Sequence, residues 1–309
     1  MTLLNETAKG VYVIAVTPFT DTGALDLDSA DRMVDFYLEK GATGLTLLGM
    51  MGEAPKLTAA ESRTLVRRVL ARTAGRVPVV VGVSAPGFAA MTELSRAVMD
   101  DGAAGVMVAP PWSLRTDDQI VGYYDMVAEA IADAPLVLQD FPLSTQVQFT
   151  PKVILAIAER LSNMVMLKHE DWPGLAKLSA LRAASDAGRA RRISILVGNG
   201  GVFLPEELSR GADGAMTGFA YPEMMVDVWR AHAAGKIERA HDLFDAYLPL
   251  ARYEQQPGPG LAIRKYVLAK RGVIASSTLR KPGAALAPAD IADVERLITR
   301  QTRRLAELG

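Results

Sequence analysis

The feature that most constrains the fold of this chain is a repeated tetrapeptide of the form Gly-Ala-x-Gly. It occurs at residues 41–44, 102–105 and 211–214, and apolar residues follow each copy. The first glycine suits the left-handed position just after a helix, and the second opens a strand, so each copy marks a junction from helix to strand. The spacing of the copies corresponds to two and four units of roughly 30 residues, about the length of one βα unit.

Short apolar runs between helical patterns indicate eight strands. We predict them near residues 11–17, 44–48, 77–82, 105–109, 135–139, 164–168, 193–198 and 213–217. Strands that are apolar on both faces are typical of a parallel sheet covered by helices. The predicted fold is therefore a (β/α)8 TIM barrel over residues 1–235, with a C-terminal helical extension, residues 236–309, packed on it. A doubly wound sheet is the alternative, but the Gly-x-Gly-x-x-Gly fingerprint is missing after the first strand.

Composition limits the classes of function. The net charge is −1, from 34 basic and 35 acidic residues, whereas nucleic-acid phosphates select a basic face. No run approaches the roughly 18 apolar residues of a membrane span, and the N-terminus does not resemble a secretory signal. Cysteine is absent and the three histidines lack metal-ligand spacing. We expect a cytoplasmic protein with a small-molecule substrate, without a bound metal, nucleic acid or membrane partner.

The end of the sixth strand carries the strongest candidate for catalysis, because catalytic groups of such barrels lie at the C-terminal ends of strands. Lys168 closes this apolar strand, and His169, Glu170 and Asp171 follow it. Desolvation disfavours an ammonium, and a neutral amine can attack a ketone to form an imine. The alternative is a lysine that reaches to solvent or pairs with Glu170 or Asp171.

Two other strand ends contain glycines. After the second strand come Gly49, Met50, Met51, Gly52 and Glu53, where successive N–H groups can bind a carboxylate or simply form a tight turn. After the seventh strand, residues 198–201 read Gly-Asn-Gly-Gly, a weak signal for phosphate or sugar hydroxyls. The candidate substrate-binding residues at these strand ends and at the end of the eighth strand are Gly49, Met50, Met51, Gly52, Gly198 and Thr217.

These motifs resemble one family. Gly49-x-x-Gly52-Glu53, a proline just after strand five and a lysine closing strand six occur in this order, together with residues 13–19 and 279–282. The set resembles the dihydrodipicolinate synthase and N-acetylneuraminate lyase family and spans nearly the whole chain. The resemblance implies a barrel assembled as a homotetramer or homodimer. It also implies class I aldolase or dehydratase chemistry, in which Lys168 forms a Schiff base with a 2-oxo acid such as pyruvate, without a cofactor.

The chain departs from the family at several site positions. The family usually carries hydroxyl residues at Met50 and Met51 and a proton-relaying tyrosine at Gln139. An arginine that binds a substrate carboxylate in the synthase corresponds to Ser144, which makes Ser144 a further candidate, and a tyrosine shared between dimer partners corresponds to Trp112. Glutamine is not an acid or base near neutral pH, although its amide can hydrogen-bond a water or a hydroxyl.

A replacement for the missing tyrosine follows from strand geometry. Side chains alternate along a strand, so Glu170 is expected on the same face as Lys168 and is the preferred general acid or base. His169 and Asp171 are the other candidates. The alternative is that Glu170 or Asp171 has a structural role and caps the helix predicted to begin near Pro173.

The combination of Gln-Asp-x-Pro after strand five with Lys-x-Glu on strand six resembles a subgroup that dehydrates 2-keto-3-deoxy sugar acids, such as L-2-keto-3-deoxyarabonate. The predicted function is this dehydration, with Lys168, Glu170 and Gln139 as catalytic residues. One alternative is a pyruvate aldolase like dihydrodipicolinate synthase or N-acetylneuraminate lyase. Another is a 2-oxo acid binding protein that has lost catalysis.

Overall fold

The barrel is closed by eight parallel strands in chain order, with β8 paired to β1. The computed structural model describes residues 2–172 and 174–309. The strands are β1 Gly10–Ile14, β2 Gly44–Leu47, β3 Val79–Gly82, β4 Gly105–Val108, β5 Leu136–Asp140, β6 Met164–His169, β7 Ser194–Val197 and β8 Gly214–Thr217. The predicted (β/α)8 fold is confirmed. The first strand ends at Ile14 rather than at residue 17. Beyond it, the Thr17 hydroxyl donates to the Gly52 carbonyl in the loop after β2.

Helices cover the outside of the barrel and form the C-terminal tail. Two of the helices begin at a threonine cap: Thr58 forms a capping box with Glu61, and the Thr150 hydroxyl accepts from the Val153 N–H. None of the helices in the described part of the chain combines the length and apolar composition needed to cross a bilayer. The helices are α1 Leu27–Glu39, α2 Ala59–Thr73, α3 Phe88–Asp100, α4 Asp117–Ile131, α5 Pro142–Thr145, α6 Pro151–Arg160, α7 Leu175–Asp186, α8 Leu204–Ser209, α9 Pro222–Ala233, α10 Ile237–Glu254, α11 Gly260–Lys270 and α12 Pro288–Glu307.

The inside of the barrel is filled with side chains rather than open. Alternate residues of the strands point inward and form one apolar cluster, which includes Tyr12, Ile14, Val80, Met107, Val137, Met166, Leu196 and Met216. The opposite faces of the strands pack on the helices in a second, larger cluster. Because side chains alternate with a period of two, Gln139 and Lys168 stand one layer above Val137 and Met166. They are therefore placed at the C-terminal mouth.

A buried glutamate joins the C-terminal extension to the loop that follows β2. Glu53 is buried, and its carboxylate lies 2.6 Å from Nζ of Lys265 on α11 and 2.9 Å from Nζ of Lys56. It also accepts from the backbone N–H of Arg280. Burial lowers the pKa of Lys265, and the adjacent Glu53 carboxylate acts in the opposite direction. The glutamate of the Gly-x-x-Gly-Glu motif thus holds the tail against the barrel mouth.

Replacing Glu53 tests this attachment. We expect Glu53→Gln to lower the free energy of unfolding by about 3 kcal/mol or more, because Lys265 stays buried without its counter-ion. The matched control is Glu39→Gln, which breaks an exposed pair with Lys40 and should change stability by less than about 1 kcal/mol. Urea unfolding of both variants measures the difference, and equal effects would contradict the assigned role of Glu53.

Glu207 on α8 makes stability depend on pH. Burial, with a smaller contribution from Glu206, raises the pKa of Glu207 to about 8. Its Oε2 finds no hydrogen-bond partner among residues 2–172 and 174–309. The carboxyl group is neutral in the folded chain and ionises near 4.5 when unfolded. Its contribution to stability is thus fully present below pH 4.5 and is lost as the pH rises through about 8.

We therefore expect Glu207→Gln to stabilise the fold relative to the parent chain at pH 8.5, by on the order of a few kcal/mol, and to have little effect at pH 4.5. Glu159→Gln, at an exposed position on α6, serves as the control and should show no such pH dependence. Urea unfolding at the two pH values measures this, and a constant difference between Glu207→Gln and the parent chain would rule out the buried neutral carboxyl.

Candidate active site

A small cavity lies at the C-terminal mouth of the barrel. Its volume is about 70 Å3, several times the roughly 10–15 Å3 that one water molecule needs. It is bordered by the ends of six strands and by the C-terminal extension. The lining residues are Ile14, Met50, Met51, Gln139, Phe141, Lys168, Glu170, Asn199, Thr217, Gly218, Gln255 and Arg264.

Lys168 and Glu170 form a buried ion pair in this cavity. They are only 4% and 6% exposed, and Nζ of Lys168 lies 2.9 Å from Oε2 of Glu170. The Glu170 N–H donates to the Asp140 carbonyl at 2.8 Å, so the extended pairing of β5 and β6 continues beyond His169. The alternation of side chains therefore persists for one more residue and returns Glu170 to the face of Lys168, as the sequence predicts.

Gln139 completes a three-residue cluster with this pair. It is the register partner of Lys168 across β5 and β6, so both side chains point into the barrel mouth. Its Nε2 donates to Oε2 of Glu170 at 2.6 Å. The same carboxylate oxygen therefore faces an amide donor and the lysine amine. The Gln139 amide thus contacts the Glu170 carboxylate on the side that faces Lys168.

The glycine loop after β7 makes room for Glu170. A Cβ atom on Gly198 would lie 2.1 Å from Cγ of Glu170, so no side chain fits at this position. Asn199 closes the same corner, because its Nδ2 donates to the Glu170 carbonyl at 3.1 Å. Gly198 was predicted to contact substrate. It lies behind Glu170 and does not line the cavity, whereas the neighbouring Asn199 does.

The other two candidate acids and bases after Lys168 point away from it. The buried His169 ring lies 3.3 Å from the Asp140 carboxylate and 3.0 Å from the Gly174 carbonyl. Asp171 pairs with Lys177 at 2.9 Å. Helix α7 begins at Leu175, and in the described part of the chain no side chain caps it; Pro173 lies outside the described residues. Glu170 is thus the acid of this segment that faces Lys168.

Two apolar side chains lie in the loop after β2. Residues 50–52 form a single 3-10 turn, closed by the Gly52 N–H donating to the Gly49 carbonyl. Met50 and Met51 line the cavity, and Met50 is partly exposed at its entrance. Gly49 and Gly52 shape the turn without lining the cavity. The predicted contacts of this motif with a ligand therefore fall on the two methionines.

Of the two remaining residues that are predicted to bind substrate, one lines the cavity and the other lies outside it. Thr217 at the end of β8 lines the cavity, and its hydroxyl accepts from the Gly200 N–H at 2.8 Å. Ser144 is exposed on the short helix α5 and lies outside the cavity. Phe141, which lies between β5 and α5, lines the wall instead.

Sequence patterns did not predict the contribution of the C-terminal extension. Arg264 is 2% exposed; its Nε donates to the buried Glu254 carboxylate at 2.6 Å, and its Nη2 donates to the Gly218 carbonyl. Burial raises the pKa of Glu254, and the Arg264 guanidinium acts against that shift. The available signal was the pair Arg264-Lys265, which interrupts the apolar face of α11. Gln255, after α10, also lines the cavity.

A larger cleft of about 320 Å3 lies at the N-terminal end of the barrel, lined by Leu4, Tyr12, Arg76 and neighbours. Burial raises the pKa of Tyr12 to about 12, so its phenol keeps its proton at neutral pH. Residues at this end of such barrels generally serve stability. The smaller cavity is therefore the candidate active site, because it contains the pair of Lys168 and Glu170.

Two proteins of known activity are similar to this chain in sequence. A 4-hydroxy-tetrahydrodipicolinate synthase from Thiobacillus denitrificans is 31% identical over 98% of each chain. An L-2-keto-3-deoxyarabonate dehydratase from Azospirillum brasilense is 33% identical over 91% of this chain and 90% of its own. Both relatives are lyases.

A solved structure extends the likeness to the coordinates. A crystal structure described as dihydrodipicolinate synthase from Rhodopseudomonas palustris superposes with a TM-score of 0.95 at 54% identity, covering 97% of this chain and all of the other. The model of the dihydrodipicolinate synthetase family matches residues 7–301. The predictions of the family and of a lyase are confirmed. The chain belongs to the dihydrodipicolinate synthetase family.

Proposed function

We propose that this protein dehydrates a 2-keto-3-deoxy sugar acid, such as L-2-keto-3-deoxyarabonate, through a Schiff base on Lys168. The observation that carries the proposal is the buried contact of Lys168 with Glu170, whose carboxylate is held by Gln139. This cluster unites a nucleophile with one acid–base group, and the A. brasilense dehydratase is a relative over most of the chain.

The first step is formation of the imine. Glu170 takes a proton from the Lys168 ammonium, and the neutral amine attacks C2 of the substrate. The N–C bond forms while the carbonyl π electrons move to oxygen, and the nitrogen gives a second proton to that oxygen. Glu170 then returns its proton to the hydroxyl, which leaves as water. The product is a protonated imine, and Glu170 is again a carboxylate.

The second step is the elimination. The Glu170 carboxylate removes a proton from C3, and the electron pair moves toward the imine nitrogen to give a neutral enamine. The enamine then expels the C4 hydroxyl, which takes the proton from Glu170 and leaves as water. Hydrolysis of the imine releases Lys168. Because the protonated imine itself accepts the electrons, we propose that the reaction needs no further cofactor.

The synthase reaction is less compatible with this site. A tyrosine relay would have to act from position 139, where a glutamine is bonded to Glu170. Ser144, where the resembling synthase places an arginine for a substrate carboxylate, lies outside the cavity. One carboxylate beside the imine suffices for a dehydration, because the proton removed from C3 is the proton that the departing hydroxyl needs. The chemistry of the cavity therefore favours elimination over condensation.

Assembly and location complete the proposal. We propose a cytoplasmic homotetramer or homodimer that acts on a small 2-oxo acid, in accordance with the family resemblance. Trp112, at the position of a tyrosine that dimer partners share in the family, is 68% exposed on the single chain. A large exposed aromatic side chain is typical of a protein interface.

Covalent trapping tests the lysine. Borohydride reduction with L-2-keto-3-deoxyarabonate or pyruvate should add the mass of the reduced adduct to Lys168, since the amine forms an imine with either ketone. Lys168→Ala should give no adduct and no turnover. Lys152→Ala, which removes an exposed lysine on α6, should leave the adduct in place. Intact mass and peptide mapping measure both, and an adduct on any other lysine would refute the proposal.

Replacing Glu170 tests the relay. Glu170→Gln should lower kcat for the sugar acid by about 10² to 10⁴, because a positioned acid or base contributes that much. The imine should still be trapped after long incubation, because Lys168 remains. Asp171→Asn changes the adjacent acid that faces Lys177 and should stay within a few-fold of the parent. Equal losses in the two variants, measured by steady-state kinetics, would remove Glu170 from the mechanism.

A further inference from the structure

One wall of the cavity contains polar side chains that the proposed mechanism does not use. Arg264 and Gln255 reach it from the C-terminal extension, and Asn199 and Thr217 reach it from the ends of β7 and β8. The methionines of the loop after β2 form another wall. The cavity therefore combines an apolar side, the Lys168 centre and a polar side on which substrate groups remote from the imine can bind.

Two glycines make room for the polar side chains of the extension. A Cβ atom on Gly218 would lie 2.2 Å from Nη1 of Arg264, and one on Gly200 would lie 2.2 Å from Nε2 of Gln255. Gly200 also has a φ of +66°, which disfavours other residues. The absence of side chains at these positions lets two nitrogen donors of the extension approach the ends of β7 and β8.

Arg264 retains a donor after its contacts within the fold are made. Its Nε and Nη2 donate to Glu254 and to the Gly218 carbonyl. Its Nη1 is buried and has no acceptor in residues 2–172 or 174–309. A buried donor without an acceptor is costly, so a ligand oxygen at this point gains affinity by satisfying it. Nη1 lies against Gly218, which lines the same cavity.

The charges around Arg264 indicate a neutral acceptor. Glu254 is buried against the guanidinium and also accepts from the Ala220 N–H. A substrate carboxylate at Nη1 would place a second anion beside that pair, whereas a hydroxyl oxygen adds no charge. Gln255 supplies both a donor and an acceptor, which suits a hydroxyl group that accepts one hydrogen bond and donates another.

We propose that Arg264 and Gln255 form the subsite that binds the hydroxyl groups of the sugar-acid tail. This proposal rests on the proposed dehydration and specifies its substrate class, since the subsite selects hydroxylated 2-oxo acids over unsubstituted ones of equal length. Both residues are binding residues rather than acids or bases. Their loss should therefore raise the KM of the hydroxylated substrate more than it lowers kcat.

The test compares two ligands that differ only in their hydroxyl groups. L-2-keto-3-deoxyarabonate is the substrate, and 2-oxopentanoate has the same carbon chain without hydroxyls. We expect Arg264→Lys to lower kcat/KM for the sugar acid by about tenfold to a hundredfold and Gln255→Ala by about threefold to tenfold, mainly through KM, as loss of a charged and of a neutral hydrogen bond to substrate predicts. The concentration of 2-oxopentanoate that gives half-maximal borohydride trapping on Lys168 should stay within a factor of about two.

The control is Gln256→Ala, which removes the same side chain from the next, exposed position and should leave both measurements unchanged. Gln255→Ala decides the question if Arg264→Lys does not fold, because Gln255 is only partly buried. Equal weakening for both ligands would overturn the hydroxyl subsite, since the residues would then serve the carboxylate or the fold. An unchanged KM for the sugar acid would also overturn it. Absence of any adduct in the parent chain would instead refute the proposed function itself.

Discussion

The burial of Lys168 against Glu170 is the interaction on which the site depends. A charged amine in an apolar barrel is unfavourable unless an opposite charge accompanies it. Several features of the fold serve this pair. The pairing of β5 and β6 continues far enough to turn Glu170 inward, Gln139 binds its carboxylate, and Gly198 leaves the space that its side chain occupies.

The C-terminal extension is part of the site. Two consecutive residues of α11 make different contacts. Arg264 lines the cavity, and Lys265 binds Glu53 in the loop after β2. That loop carries the two methionines at the cavity entrance. The position of α11 therefore sets both the polar wall and the apolar wall, and a change in how the extension packs would alter the two together. This coupling follows from a single buried glutamate and the lysine that neutralises it.

We propose that the acid–base group of this chain lies on the segment after β6, rather than at the strand-five position where the family that it resembles carries a tyrosine. Hydroxyl side chains are replaced by Met50 and Met51, and the tyrosine position is occupied by Gln139. The cavity contains instead a carboxylate on the segment after β6, beside Lys168, the proposed nucleophile. A carboxylate that returns the proton it has removed suits an elimination, in which a proton and a hydroxide leave adjacent carbons. The substitutions thus fit a change of reaction better than a loss of activity.

The sequence by itself determined the barrel, its eight strands and the juxtaposition of Lys168 with Glu170. These features depend on local periodicity: apolar runs between helices define the strands, and alternation with a period of two places residues 168 and 170 on one face. Only the tertiary structure decided that Arg264 and Gln255 reach the cavity, that Gly198 accommodates Glu170, and that Ser144 lies outside. The physical reason is that these contacts join segments far apart in the chain. Their geometry depends on how the closed barrel and the packed extension bring loop ends together, and no short-range pattern records that.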